Sequence, residues 1–175
     1  MARPLCGNVT RGADGAIGLR LRPMGKPSGP LDAAIAARVR ASFARQGAMA
    51  TLVAEIADIE AGRVAIALPI EPRLSQQDGF LHAGVVIAAL DSACGYAALT
   101  LMADDAEVLT VELKVNLLAP ASGDSLVAEG EVVRAGRTLT VCRGDAYAEQ
   151  GAERVHVATM LATMVRRRAE PCSPP

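Results

Sequence analysis

The stretch His82–Met102, HAGVVIAALDSACGYAALTLM, decides how the rest of the chain must be arranged. It is apolar on nearly every side of a helical wheel and rich in alanine, so it predicts a long helix buried on most of its faces. The segment from Phe80 to Met102 could pass for a membrane span by length, but it carries His82, Asp91 and Ser92. A carboxylate near the centre of a span costs roughly 3 kcal/mol, which argues for burial inside a protein instead. A helix with so little polar surface needs a layer to wrap it.

The flanking sequence supplies that layer. Leu109, Val111, Leu113, Val115 and Leu117 alternate with Thr110, Glu112, Lys114 and Asn116, a period of two that predicts a strand broken by Pro120 and Gly123. Further strands are predicted at Ser125 to Arg134, Arg137 to Tyr147 and Arg154 to Val165, with Ala135-Gly136 and Gln150-Gly151 as turns. Upstream, the β-branched runs Thr51 to Ile59 and Arg63 to Ile70 flank Glu60-Ala61-Gly62 as a hairpin, and Pro72 ends the second strand. Leu31, Ile35, Ala36, Val39 and Phe43 recur at helical spacing, giving an amphipathic helix over Leu31 to Gly47 that Gly47 closes. Few helices and many consecutive strands predict an α+β domain in which an antiparallel sheet wraps one long central helix, with an extra N-terminal helix. Residues 1–30, rich in Gly, Pro and Arg, read as an irregular or disordered leader, 31–168 as the domain, and 169–175 as a tail.

Composition narrows the function. A formal charge of -1 leaves no global field to recruit nucleic acid or an anionic membrane, and aromatic residues make up only 2% of the chain, too few for base-stacking platforms. Cys6, Cys94, Cys142 and Cys172 are scattered without paired spacing, which argues against a metal knuckle or a disulfide scaffold and fits reduced thiols in a cytoplasm. The first residues lack the apolar run of a secretory signal.

Asp91 is the single carboxylic acid between Phe80 and Met102, set among Ala88, Ala89, Leu90, Ala93 and Ala97. Burying a lone carboxylate is costly unless it is paired or hydrogen-bonded, so its presence asks for a reason, catalytic or structural. Immediately before the helix, Gln76-Gln77-Asp78-Gly79-Phe80-Leu81-His82-Ala83-Gly84 is a polar, glycine-containing approach to a helix N-terminus. Free backbone N–H groups and the positive end of the helix dipole collect there and can hold a carbonyl oxygen as it becomes an oxyanion.

Together, His82-Ala83-Gly84, Asp91-Ser92-Ala93 and the strand from Leu109 to Pro120 resemble the H-G-G…D/E pattern of hot-dog-fold thioesterases related to the phenylacetic-acid-degradation enzyme. The resemblance extends from about Asp32 to Val165. It implies a hot-dog fold and hydrolysis of an acyl-CoA, with no metal and no redox cofactor. It also implies Asp91 as general base or nucleophile, the Ala83 N–H as the oxyanion donor, Gln76 as an assisting amide and Thr110 as a hydroxyl that orients water. Ala83 departs from the glycine usual there; the N–H is kept and a methyl is added. His82 and Gly84 fall at the substrate-contacting helix start, with His82 largely structural. Arg134 and Arg137 fall at the turn near the coenzyme A phosphates, where guanidinium groups suit bidentate contact. Because such sites are shared between subunits, the resemblance implies a homodimer or homotetramer in which Asp91 of one chain faces Ala83 of its partner.

Three other readings compete. A hydratase of the same fold would need a histidine placed for proton transfer. A non-catalytic acyl-CoA-binding module would have no use for a carboxylate beside the carbonyl. Cys94 with His156 as a nucleophile pair would need an accessible thiol, whereas Cys94 lies in an alanine-rich helix and His156 in a strand between Val155 and Val157.

Overall fold

The computed structural model describes residues 31–168 together with 10–11 and 17–18. Thr10–Arg11 (β1) and Ile17–Gly18 (β2) pair antiparallel, and the rest of the expected leader, like the tail from 169, lies outside the described residues. Asp32 caps helix α1, Ala33–Phe43, by accepting a hydrogen bond from the Ala34 N–H at 2.8 Å. Gly47 opens a second short helix, α2 (Gly47–Thr51), where the sequence predicted a helix end. Thr51, expected as the start of a strand, therefore closes a helical turn, and its hydroxyl donates to the Gly47 carbonyl at 2.9 Å.

The hairpin expected about Ala61-Gly62 is present as β3 (Glu55–Glu60) and β4 (Arg63–Pro69), with Gly62 at φ 77° in the turn. Pro72 begins a 3-10 turn, Pro72–Leu74, and the long helix α3 then runs Ala83–Leu99. Four long strands complete the domain: β5 (Ala106–Leu117), β6 (Ser125–Ala135), β7 (Leu139–Gln150) and β8 (Glu153–Arg168). All neighbours pair antiparallel in one six-stranded sheet of order β3-β4-β6-β7-β8-β5. This is the hot-dog arrangement, with α3 seated against the concave face of the sheet and α1 added at its side.

The alanines of α3 explain how closely it seats. Ala89, Ala93, Ala97 and Ala98 are fully buried, and on β6 the facing residue is Gly130, where an added Cβ would lie 2.4 Å from the Ala93 carbonyl carbon. Helix and sheet backbones are in contact there, so neither side has room for a larger residue. Around this seam Ile66, Leu68, Leu90, Leu126, Met160 and Met164 fill the core. Each such side chain contributes roughly 1.5–3 kcal/mol when removed from water. At its C-terminal end α3 is tied to α1 by Arg38, whose guanidinium donates to the carbonyls of Leu99 at 2.8 Å, Met102 at 3.0 Å and Ala103 at 2.5 Å.

β5 behaves differently from the strand its alternation describes. It lies at the sheet edge, and Leu109, Val111 and Leu117 are each more than half exposed. A bulge between Thr110 and Glu112, where Val111 is the extra residue opposite β8, reverses the alternation. Val108 and Val115, of opposite parity in sequence, both pack on the core as a result.

Candidate active site

Two pockets lie along α3. The first is at the helix start. His82, in an extended conformation (φ -62°, ψ 134°), is the N-cap, and its Nδ1 accepts a hydrogen bond from the Gly84 N–H at 2.9 Å. A Cβ on Gly84 would sit 3.0 Å from that Nδ1, so glycine leaves room for the imidazole. The cap consumes the Gly84 N–H and leaves the Ala83 N–H, at the first helical position, without a backbone partner among the described residues. Ala83, Gln76, Phe80, Leu117, Pro120 and Val157 are among the residues that line a cavity of about 370 Å³. Gln76 is held in a tight turn: its N–H donates to the Phe80 carbonyl at 2.8 Å, its own carbonyl accepts from Gly79, and its side-chain oxygen accepts from the Asp78 N–H.

The second pocket, of about 510 Å³, opens midway along the helix, where Asp91 lines its wall with Ser92, Gly95 and Tyr96. Asp91 is half-buried rather than enclosed, and Oδ1 accepts a hydrogen bond of 2.6 Å from the Thr110 hydroxyl on β5. The bulge in β5 follows directly on Thr110, so the irregularity of the edge strand and the hydrogen bond to the carboxylate occur at one place. The opposite wall comes from α1 and the loop after it: Arg38, Ser42, Arg45 and Gln46.

Asp91 and Thr110 are thus brought together, and so are Ala83 and Gln76, but the two pairs occupy different pockets. Eight residues of helix separate Ala83 from Asp91, about 12 Å along the axis, so one carbonyl group cannot contact both within a single chain. Arg134 and Arg137 are exposed at the β6–β7 turn and belong to neither pocket lining.

Cys94 and His156 do not meet. Cys94 is fully buried, and burial, with Cys142, Asp91 and Asp145 nearby, raises its thiol far above the ordinary range. Burial likewise pushes the Cys142 thiol up to about 12. Both stay protonated and act as small apolar groups. His156 is exposed, bonded to Asp145 at 3.1 Å and stacked on the Tyr147 ring at 4.9 Å.

Sequence reasoning missed the polar residues opposite Asp91. Gln46 Nε2 donates to the Tyr96 hydroxyl at 2.9 Å, and the Ser92 hydroxyl donates to Gln46 Oε1 at 3.3 Å. The signal was available for the helix partners, since 91, 92, 95, 96 and 99 share one helix face. Nothing local pointed to Gln46, which lies beyond the end of α1.

Known proteins place this architecture. The family model described as the thioesterase superfamily matches residues 78–155, the span that holds both pockets' helix and most of the sheet. Among curated proteins, an inferred esterase of Saccharolobus solfataricus is 32% identical over 117 residues, 65% of this chain and 83% of that protein. The 1,4-dihydroxy-2-naphthoyl-CoA hydrolase of Listeria monocytogenes is 26% identical over 95 residues, 54% of this chain and 77% of the hydrolase. Among solved structures, a thioesterase family protein of Silicibacter pomeroyi is 52% identical, covers 77% of this chain and 99% of its own, and superposes with a TM-score of 0.76. The PaaI protein of the Escherichia coli phenylacetic acid degradation operon shares the fold at 17% identity, with a TM-score of 0.70 over 78% of this chain and 96% of its own. With its fold, its helix-start motif and these relatives agreeing, the chain belongs to the thioesterase superfamily.

Proposed function

We propose that the protein hydrolyses an acyl-CoA thioester to the free carboxylic acid and coenzyme A, at sites completed by a second copy of the chain. The observation that carries this is the Asp91 carboxylate on a pocket wall, with Thr110 bonded to one oxygen at 2.6 Å. With Oδ1 engaged, Oδ2 is the oxygen free to act. As a base it takes a proton from water while the water oxygen attacks the thioester carbon; as a nucleophile it attacks that carbon itself. On the base route the oxyanion is held by the Ala83 N–H, collapse breaks the C–S bond, and the departing thiolate takes the proton from Asp91. On the nucleophile route the C–S bond breaks as the Asp91 anhydride forms and the thiolate leaves; water then cleaves the anhydride, which releases the acid, restores the carboxylate and supplies the proton that the thiolate takes. Gln76 assists from the oxyanion pocket. The hydrolase relative whose name specifies a CoA thioester supports this choice of leaving group, and the exposed guanidinium groups of Arg134 and Arg137 suit its phosphates.

The separation of the two pockets supports a shared site. Among the described residues no strand pairs with the outer edge of β5, which carries exposed Leu109, Val111 and Leu117, a liability for a free subunit. A second copy seated there covers the apolar residues, next to Thr110 and Asp91. No helix among the described residues is long and apolar enough to cross a membrane.

The test is thiol release from a panel of acyl-CoA thioesters by the wild type and by Asp91→Ala. Turnover that falls by about two orders of magnitude or more in the variant is expected of a positioned acid–base group. Binding of acyl-CoA without turnover by the wild type would show a binding module instead.

A further inference from the structure

The glycines on or facing α3 differ in how much room surrounds them. Gly130 and Gly144 face α3 so closely that added Cβ atoms would meet Ala93 at 2.4 Å and Cys94 Sγ at 3.0 Å. Backbone contact demands glycine at Gly130, and at Gly144 a Cβ would press on the Cys94 and Leu90 side chains. Gly95 lies in the interior of α3, where glycine is the least favourable residue apart from proline. Yet a Cβ built there meets only Val108 Cγ1 at 3.9 Å, an ordinary contact. Nothing in the packing among the described residues requires the side chain to be absent.

What Gly95 does face is the Asp91 pocket. Gly95 is four residues on from Asp91, so it lies on the same helix face about 6 Å further along the axis. The opposite wall is fixed in place. Arg38 fastens α1 to the end of α3, and Gln46 bridges the Tyr96 and Ser92 side chains on either side of Gly95. Tyr96 is further held by Phe43, with ring centroids 5.7 Å apart. These contacts tie that wall to α3 beside the space that Gly95 leaves.

We infer that Gly95 is a specificity-determining residue: its missing side chain is the room for the part of the acyl group that extends beyond the thioester carbonyl. This rests on the thioesterase reading of Asp91. For an acyl group that runs along α3 from a carbonyl held at Asp91, Gly95 lies about 6 Å away, within reach of a hexanoyl chain or the outer edge of an aryl ring. Acetyl groups end short of it. The helix gives up intrinsic stability at this position and gains a compartment for larger acyl groups.

The experiment measures kcat/KM for acetyl-, hexanoyl- and benzoyl-CoA with wild type, Gly95→Ala and Gly95→Val, together with thermal melting and oligomer size. The smallest acyl group that the wild type turns over serves as reference. In Gly95→Ala the ratio of larger-acyl to reference kcat/KM is expected to fall about tenfold, the scale of one misplaced methylene, and further in Gly95→Val. The melting temperature of Gly95→Ala is expected to rise by about 2–4 °C. Unchanged ratios, a lower melting temperature or a dissociated oligomer in Gly95→Ala would overturn the inference while leaving the thioesterase reading standing. Absence of turnover on every thioester by the wild type would remove that reading and this inference with it. Should Gly95→Val fail to fold, Gly95→Ala decides alone.

Discussion

The start and the middle of α3 offer opposite chemistry. At the start, the Ala83 N–H has no backbone partner among the described residues while His82 caps the next one, and the nearby pocket holds Gln76 but no carboxylate. At the middle, a carboxylate is oriented by a hydroxyl, and the pocket around it does not reach the start of α3. One region is built to receive negative charge and the other to carry it. They belong to one helix, and its rigidity at about 1.5 Å per residue keeps them apart. One helix therefore cannot present both groups to the same carbonyl, which is the physical argument for the proposed partner subunit.

The largest expected effect comes from removing the N–H at the helix start without disturbing the helix. Ala83→Pro does this: proline suits the first helical position, and His82 already has the extended conformation that precedes it. Thiol release should fall by about 10²–10³, with melting temperature little changed. The shared-site comparison sharpens when this variant is unfolded and refolded together with Asp91→Ala in equal amounts. Half of the resulting dimers then combine one chain of each kind and contain one intact site, so about a quarter of wild-type activity should return. Activity no greater than the sum of the two variants alone would place both groups of a working site in a single chain.

Thr110→Val tests the middle of the helix. Loss of a hydrogen bond to a charged group should lower kcat by about 10–100-fold, corresponding to roughly 1.5–3 kcal/mol, with a smaller change in KM. A larger effect on KM than on kcat would assign Thr110 to binding. The smallest change is expected from His82→Ala. It removes the cap at a stability cost of about 1 kcal/mol, seen as a melting temperature lower by roughly 2–4 °C, and lowers kcat less than tenfold. A loss near that of Asp91→Ala would move His82 into the chemistry and revive the hydratase-like reading.

Much of this arrangement was legible in the amino-acid order because it depends on local properties. An all-round apolar helix implies a surrounding layer, and alternating strands with glycine turns imply the layer's kind. The motif at His82-Ala83-Gly84 with Asp91 was legible for the same reason, since the residues lie on one element. The misreadings came where non-local contacts overrule local preference. Gly47 begins α2 because the chain after α1 turns to bring Gln46 against Tyr96, although glycine after an amphipathic run ordinarily marks a helix end. The alternation of β5 was read from parity, and a single extra residue at Val111 reverses it.

The sequence by itself determined the helix, the strands, the carboxylate and the polar approach to the helix start, because periodicity and residue type act over a few positions. Only the tertiary structure decided that Asp91 meets Thr110, that Arg38 of α1 and Gln46 beyond its end wall the pocket, and that Ala83 and Asp91 look into separate cavities. It also separated the glycines demanded by packing from Gly95, which packing does not demand. Those outcomes depend on distances between residues far apart in the chain, which the packing of α3 against the sheet sets and no local pattern encodes.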